Sequence, residues 1–96
     1  MKFSKDYSKL DKLTFTTIRK YSGYYMCGMT VNIKTPTKEF KAKVIKANWM
    51  NKSMISENLA QSDADCSRVE LITMLEGWYG KRFDDFVLIT LERIDK

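Results

Sequence analysis

Residues 29–50, MTVNIKTPTKEFKAKVIKANWM, decide the fold because they read as two strands joined by a short turn. In the first strand, Met29, Val31 and Ile33 alternate with polar residues, as in a strand with one buried face. Residues 35–37, TPT, supply the turn, since proline fixes φ and has no backbone N–H to donate. Only antiparallel neighbours can be joined by so short a connection. The stretch therefore predicts a β-hairpin.

The second strand of the hairpin also has one apolar and one polar face. We predict that Phe40, Ala42 and Val44 face the core, while Lys41 and Lys43 face solvent. The two lysines could contact phosphates, which positions a nucleic acid without reading its sequence. Alternatively, they form a solvated face that protects an edge strand from unwanted pairing.

Two further strands are predicted, one before and one after the hairpin. Residues 13–19, LTFTTIR, are rich in β-branched and aromatic types, and a period of two puts Thr17 and Arg19 on one face. Residues 86–94, FVLITLERI, begin with a run that is apolar on both faces apart from Thr90. A strand covered on both faces is expected at the centre of the sheet.

Between the hairpin and the last strand, the pattern predicts two helices, over residues 53–62 and 67–79. The second helix begins with a capping box, in which Ser67 is the N-cap and Glu70 is the third helical residue. Gly80 is the expected residue after its last turn.

The order of these elements indicates a single α+β domain over residues 1–96. Residues 1–12 are polar and charged, and they read as a lead-in with at most a short helical turn. A few short antiparallel strands close more easily into a barrel than they persist as a sheet with bare edges. We therefore expect a small mixed β-barrel of about five strands with two helices.

The composition narrows the classes of function. The chain has no His and two Cys, so its commonest metal ligand is absent, and neither a zinc site nor a disulfide framework is expected. No apolar run approaches the ~20 residues of a membrane span. The opening segment, MKFSKDYSKLDK, lacks the apolar region of a secretory signal. We expect a cytoplasmic protein without a metal, another cofactor or membrane contact.

The net charge of +5 is distributed unevenly along the chain. Residues 1–46 hold 11 Lys and Arg against 3 Asp and Glu, whereas residues 47–96 hold 6 against 9. Such asymmetry indicates one electropositive face, for which a polyanion such as RNA is the natural partner. Charge alone does not identify that partner, because many small lysine-rich proteins bind no anion.

The segment RKYSGYY interleaves cations with aromatic rings in a predicted loop. Its candidate RNA contacts are Arg19, Lys20, Tyr21, Tyr24 and Tyr25. Aromatic rings stack on unpaired bases, and cations meet phosphates. The alternative is a loop whose tyrosine rings pack back on the sheet.

Thr17 and Arg19 are a second pair of candidates, because a guanidinium beside a hydroxyl suits a phosphate or the edge of a base. The alternative interpretation is structural. Thr17 would then serve as a strand former, and Arg19 would pair with an acid such as Glu70.

The order of these elements resembles that of ASCH domains, which belong to the PUA-like superfamily of small β-barrels. The resemblance covers roughly residues 12–95, and it rests on Thr17-Ile18-Arg19 at the end of a strand, Gly28 before the hairpin, Glu70-Leu71 in the second helix and the closing strand. It implies a barrel with a cleft flanked by helices, and RNA or a modified nucleoside as the ligand.

Some members of this family resemble acetylcytidine amidohydrolases that use a Lys, a Thr and a Glu, and the resemblance assigns the threonine to Thr17. The lysine position holds Thr14, with Lys12 nearby, and the acid position falls between Asp63 and Asp65. The Lys-x-Gly-Asp turn of many members is MCGM here, without either charge. These departures favour binding over hydrolysis, with Thr17, Lys12 and Asp65 as the candidate catalytic residues.

The sequence therefore predicts a protein that binds RNA or a nucleotide. A base would enter a cleft near Thr17 and Arg19, and phosphates would meet the lysines of the hairpin. Two alternatives remain open. One is a small hydrolase that acts as an amidohydrolase on acetylated cytidine or as an RNase, and the other is a non-enzymatic module that binds a protein.

Overall fold

The computed structural model describes residues 1–3 and 5–94, which form an α+β fold of four strands and two helices. The strands are β1 (Thr14–Lys20), β2 (Thr30–Lys34), β3 (Glu39–Met50) and β4 (Phe86–Arg93), and the helices are α1 (Glu57–Ala64) and α2 (Arg68–Tyr79). Short 3₁₀ turns occupy Ser8–Asp11 and Lys52–Met54.

The strands form one antiparallel sheet in the order β1-β4-β3-β2. β2 and β3 are the predicted hairpin. β4 lies between β1 and β3, as its apolar pattern predicts, and its residues Phe86, Val87, Ile89 and Leu91 are all buried. A central strand is covered on both faces, which explains why alternation is lost there.

The sheet has two faces with different surroundings. The register places Thr17 opposite Ile89 and Phe15 opposite Leu91, so these buried side chains share one face, which we call the Thr17 face. The other face carries Thr16, and we call it the Thr16 face. At its β1 end this second face is covered by α1.

Both helices begin at side-chain caps. The polypeptide first makes the separate turn at Lys52–Met54, so α1 starts later than predicted, with the Ser56 hydroxyl as its cap. α2 has the predicted capping box, in which Ser67 and Glu70 each accept a hydrogen bond from the other's backbone N–H. No helix in the described part of the chain has the length and apolar character that crossing a bilayer requires.

The expectation of a barrel of about five strands is wrong, because residues 1–3 and 5–94 form an open sheet of four strands. Among the described residues before β1, one bridge forms, between Lys2 and Lys34 at the edge of β2. The Phe3 N–H donates to the Lys34 carbonyl at 2.8 Å, and the Lys34 N–H donates to the Met1 carbonyl at 2.9 Å. This short segment covers the edge of β2 without closing the sheet.

Residues 1–12 pack on the fold instead of forming a polar lead-in. The predicted helical turn is present at Ser8–Asp11. Phe3, Tyr7 and Leu10 belong to the buried core cluster. The turn therefore lies against the protein, where its polar residues can enter a site.

Candidate functional site

A cavity of about 230 Å³ lies beside the edge strand β1, between the N-terminal segment and the helices. Its lining includes Phe3, Tyr7 and Lys9 from the N-terminal segment, residues 17–19 of β1, Asp63 of α1, and an apolar wall of α2 that runs to Trp78 and Tyr79. A mainly apolar hollow with a few converging polar groups is the usual form of a small-molecule site.

The polar centre of the cavity is an ion pair between Lys9 and Asp63. The Lys9 Nζ lies 3.2 Å from the Asp63 Oδ1, and the two residues are only 3% and 4% exposed. The Thr16 hydroxyl donates to the same oxygen at 2.9 Å. The ring centroids of Phe3 and Tyr7 lie 5.1 and 5.2 Å from the ammonium, which they screen from water.

Burial shifts the pKa values of both members of this pair in the direction that favours their uncharged forms. Desolvation lowers the pKa of Lys9, while the neighbouring Asp63 opposes that shift. Desolvation likewise raises the pKa of Asp63, against the attraction of Lys9 and the hydrogen bond from Thr16. Buried groups with shifted pKa values are common at functional sites, and they also occur in structural ion pairs.

Asp65 holds the Lys9 turn in place and does not line the cavity. It ends α1 in the left-handed region, with φ of 56°, and accepts hydrogen bonds from the backbone N–H and the hydroxyl of Ser8. These bonds hold the pKa of Asp65 below its ordinary value of 3.8. The predicted catalytic candidate Asp65 is thus an anchor, and its neighbour Asp63 is the carboxylate in the cavity.

Thr17 and Arg19 lie together in the cavity wall. The Arg19 Nε donates to the Thr17 Oγ1 at 3.2 Å, and the Arg19 Nη2 donates to the backbone carbonyl of Lys2 at 3.0 Å. The guanidinium carbon lies 4.8 Å from the Phe3 ring centroid. These contacts hold Arg19 instead of the suggested pair with Glu70, which closes the capping box of α2.

The loop of aromatic residues at positions 20–25, the aromatic loop, lies outside the cavity lining. Lys20 lies over the Phe83 ring, with its Nζ 5.5 Å from the centroid. Tyr21 and Tyr24 are exposed, while Tyr25 is half-buried and packs edge-on against Tyr24. Because the described cavity lining includes none of these side chains, they could contact only a ligand that extends beyond it.

The hairpin lysines lie on the opposite side of the sheet from the cavity arginine. Lys41 and Lys43 are exposed, and alternation along β3 puts them on the Thr16 face. Thr17 and Arg19 belong to the Thr17 face. The structure therefore separates two groups that the sequence analysis places around one cleft.

Lys9 is not among the site residues predicted from the sequence, which include Lys12 instead. Lys12 is exposed beyond the 3₁₀ turn, where its backbone N–H donates to the Lys9 carbonyl. No local pattern marks Lys9, because its burial depends on Asp63, which lies 54 positions away in the chain.

Within residues 1–3 and 5–94, no group of three or more Cys, Asp and Glu side chains is arranged to hold a metal ion. Comparison with known proteins adds no assignment: no family model matches the chain, and no curated protein and no solved structure matches it.

Proposed function

We propose that the cavity binds the base of an RNA or of a nucleotide. The observation that carries this proposal is the convergence of Thr17, Arg19 and the buried Lys9–Asp63 pair on one small hollow with aromatic walls. Proteins that read unpaired nucleotides stack the base on aromatic rings or guanidinium planes and bond its polar edge. The resemblance to ASCH domains favours the same class of ligand.

The size of the cavity favours a single base or nucleoside. Its volume of about 230 Å³ is below the ~300 Å³ at which sites for drug-sized ligands begin. Trp78 lines this cavity and is still 57% exposed, so part of its indole is available for stacking. Base–aromatic stacking contributes about 1–3 kcal/mol and suits every base.

The ion pair offers both donors and acceptors to the edge of a base. The Lys9 ammonium carries three N–H groups, one of which bonds Asp63. Both hydrogen bonds that the described residues make to Asp63 end on its Oδ1, which leaves Oδ2 for a ligand. Bases present donors and acceptors side by side, so a carboxylate beside an ammonium is a suitable partner.

Fluorescence of Trp78 tests the proposal directly. The chain has two Trp, and Trp49 bonds Asp85 through its Nε1 at 3.2 Å outside the cavity lining. A Trp49→Phe protein therefore reports only on Trp78. We expect saturable quenching by ribonucleosides, their 5′-monophosphates or a short single-stranded RNA. The absence of quenching by all three would contradict the proposal.

Two threonines on β1 provide a matched pair of variants. Thr17→Val keeps the shape of the side chain and removes the cavity hydroxyl, so affinity should fall about threefold to tenfold. Thr14→Val makes the same change at an exposed position outside the lining and should leave affinity unchanged. Equal affinities of the two variants would contradict a base bound beside Thr17.

The salt dependence of affinity distinguishes binding in the cavity from phosphate contacts at the hairpin lysines. Affinity for single-stranded RNA should fall as ionic strength rises, because phosphate contacts release counterions. If the hairpin contributes, Lys41→Gln with Lys43→Gln will reduce the salt slope for RNA and leave nucleoside binding unchanged. An RNA affinity that does not respond to salt would count against phosphate contacts anywhere on the protein.

A second candidate function is hydrolysis of the amide bond that joins an acyl group to the base of a nucleoside. It is favoured by Lys9, since burial lowers the pKa of this amine in the cavity that also contains the Thr17 hydroxyl. An amine whose pKa is closer to the working pH is better suited to take a proton from a hydroxyl or a water molecule. Turnover of acetylated cytidine that is lost in Thr17→Val and kept in Thr14→Val would support this candidate, and inactivity of the unmodified protein would exclude it.

A further inference from the structure

Arg19 is fixed at the cavity by neutral groups. Its Nε and Nη2 donate to the Thr17 hydroxyl and the Lys2 carbonyl, and the Phe3 ring lies beside its guanidinium. The ion pairs among residues 1–3 and 5–94 join Lys9 to Asp63, Lys38 to Asp11 and Lys52 to Glu76. Arg19 belongs to none of them, so no carboxylate of the described residues lies within ion-pair distance of its guanidinium.

The lining of the cavity carries more positive than negative charge. Its charged side chains are Lys2, Lys9, Arg19 and Asp63, which is an excess of two positive charges. Asp63 is already engaged by Lys9 in the interior. Arg19 also acts on Asp63 electrostatically, but one carboxylate cannot balance three cations, so the excess positive charge lies with Arg19 and Lys2. A partly buried cation without a counter-charge favours an anionic ligand, because pairing offsets the cost of its lost hydration.

We propose that the ligand of this cavity carries a terminal phosphate, which Arg19 and Lys2 bind while the base enters the hollow. The inference rests on the proposed function and adds a chemical class, a nucleotide with a phosphomonoester. Such a group carries about −1.5 to −2 charges at pH 7, which matches the excess on the lining, whereas an internal phosphodiester carries about −1. The planar fork of arginine can bond two phosphate oxygens at once.

Two sources supply this chemistry, a free nucleoside monophosphate and the phosphorylated end of an RNA. A second hollow adjoins the first and is lined by Lys2, Phe3, Lys34, Thr35 and Pro36. Because Lys2 and Phe3 line both hollows, a chain that continues from the bound nucleotide can pass along the second. Lys34 would then meet the next phosphate.

Calorimetric titration of the unmodified protein tests the phosphate directly. The ligands are a ribonucleoside, its 3′- and 5′-monophosphates and inorganic phosphate. One monophosphate should bind at least about tenfold more tightly than the nucleoside, as a charge-assisted pair predicts. Equal affinities would overturn the inference and leave the proposed function standing. If neither the nucleoside nor a monophosphate binds, both fail.

Variants locate the phosphate on the protein. Arg19→Gln should reduce the preference for the monophosphate to less than about threefold, and Arg19→Lys should keep part of it because the charge remains. Lys43→Gln, which removes the same charge from the Thr16 face, should keep all of it. An unchanged preference in Arg19→Gln would overturn the assignment to this residue.

Phosphorus NMR gives a measurement that needs no variant. The second pKa of a phosphomonoester is about 6 in water, and two neighbouring cations should lower it in the complex. The phosphorus shift of the bound monophosphate, followed against pH, should therefore show an ionisation at lower pH than that of the free ligand. An unchanged pKa in a saturated complex would overturn the contact with Arg19 and Lys2.

Short RNAs with and without a terminal phosphate distinguish the two sources. A phosphorylated RNA that binds more tightly than the mononucleotide identifies the RNA end as the ligand, and the reverse order identifies the free nucleotide. In either case the phosphorylated ligand should bind more tightly than its unphosphorylated counterpart. An RNA ending in hydroxyl groups that binds as tightly as its phosphorylated form would overturn it.

Discussion

Lys9 and Asp63 form a buried ion pair although they lie 54 positions apart in the chain. The pair joins the N-terminal turn to the end of α1, and it is also the polar centre of the cavity. Stability and ligand binding therefore depend on the same two side chains. Experiments on the pair must separate these two contributions.

Removal of one member of the pair should lower the free energy of unfolding more than removal of both. Lys9→Met leaves Asp63 buried without its counter-charge, which typically costs about 3–5 kcal/mol of unfolding free energy. Lys9→Met combined with Asp63→Leu replaces the pair by apolar groups and should recover most of that loss. Urea unfolding of the two single variants and the double variant measures the coupling, and additive losses would contradict the pairing.

The loss of unfolding free energy caused by Lys9→Met should depend on pH. Desolvation raises the pKa of Asp63 even beside Lys9, and loss of the ammonium removes an influence that lowers it. A carboxyl group with a raised pKa in the folded state destabilises the fold above that pKa and ceases to do so when protonated. The gap in stability between Lys9→Met and the unmodified protein should therefore narrow as the pH falls. A constant gap would show that Asp63 does not carry the uncompensated charge.

Acid should weaken the anchor between Asp65 and Ser8. Bonds from Ser8 lower the pKa of Asp65 from its ordinary value of 3.8. A carboxylate of this kind contributes stability that is complete above the unfolded pKa and is lost as the pH falls through the folded one. At and below about pH 4, the free energy of unfolding should decrease less on acidification in Asp65→Asn than in the unmodified protein. Ser8→Ala removes the hydroxyl bond but keeps the backbone N–H bond, so it should reproduce part of this effect. A pH dependence of stability that is unchanged in both variants would contradict the anchor.

The N-terminal segment should behave as part of the core. Phe3 is 6% exposed and lies against Tyr7, Lys9 and Arg19. Phe3→Ala should cost about 3–5 kcal/mol of unfolding free energy, as expected for a large buried ring. Met26→Ala, at a side chain that is 66% exposed, should change it by less than about 0.5 kcal/mol. Similar small losses for the two variants would show that the segment does not pack on the sheet.

The capping box of α2 allows a simple check on local structure. Ser67→Ala removes the acceptor for the Glu70 N–H and should cost about 1 kcal/mol. Ser62→Ala on the exposed surface of α1 is the control, since its hydroxyl bonds only the Leu59 carbonyl among the described residues. The control should stay within about 0.5 kcal/mol of the unmodified protein. A larger effect at Ser62 than at Ser67 would contradict the assignment of the cap.

Local patterns predict most of the secondary structure. The hairpin follows from the alternation around residues 35–37, and the central position of β4 follows from a run that is apolar on both faces. The capping box at Ser67 identifies the start of α2. Each of these features depends on residues close together in the chain, which is why the sequence alone can place them.

Long-range pairing limits what the sequence predicts about the sheet and the site. The barrel is incorrect because the segment at Lys2 covers an edge with a single bridge, which no local pattern specifies. Lys9 is overlooked because its partner, Asp63, is distant in the chain and its neighbours are mostly polar. The sequence correctly groups Thr17 with Arg19, since alternation on one strand is local. It also groups these residues with Lys41 and Lys43, which the register places on the opposite face.

The most direct test of the cavity as the ligand site is a two-dimensional ¹H–¹⁵N NMR titration with ribonucleoside 5′-monophosphates. We expect the largest shifts at the backbone amides of Ile18, Arg19 and Ala64 and at the indole N–H of Trp78, all of which line the cavity. The amide of Lys43 should not shift. Shifts confined to β3, or spectra that stay unchanged at millimolar ligand, would contradict the account.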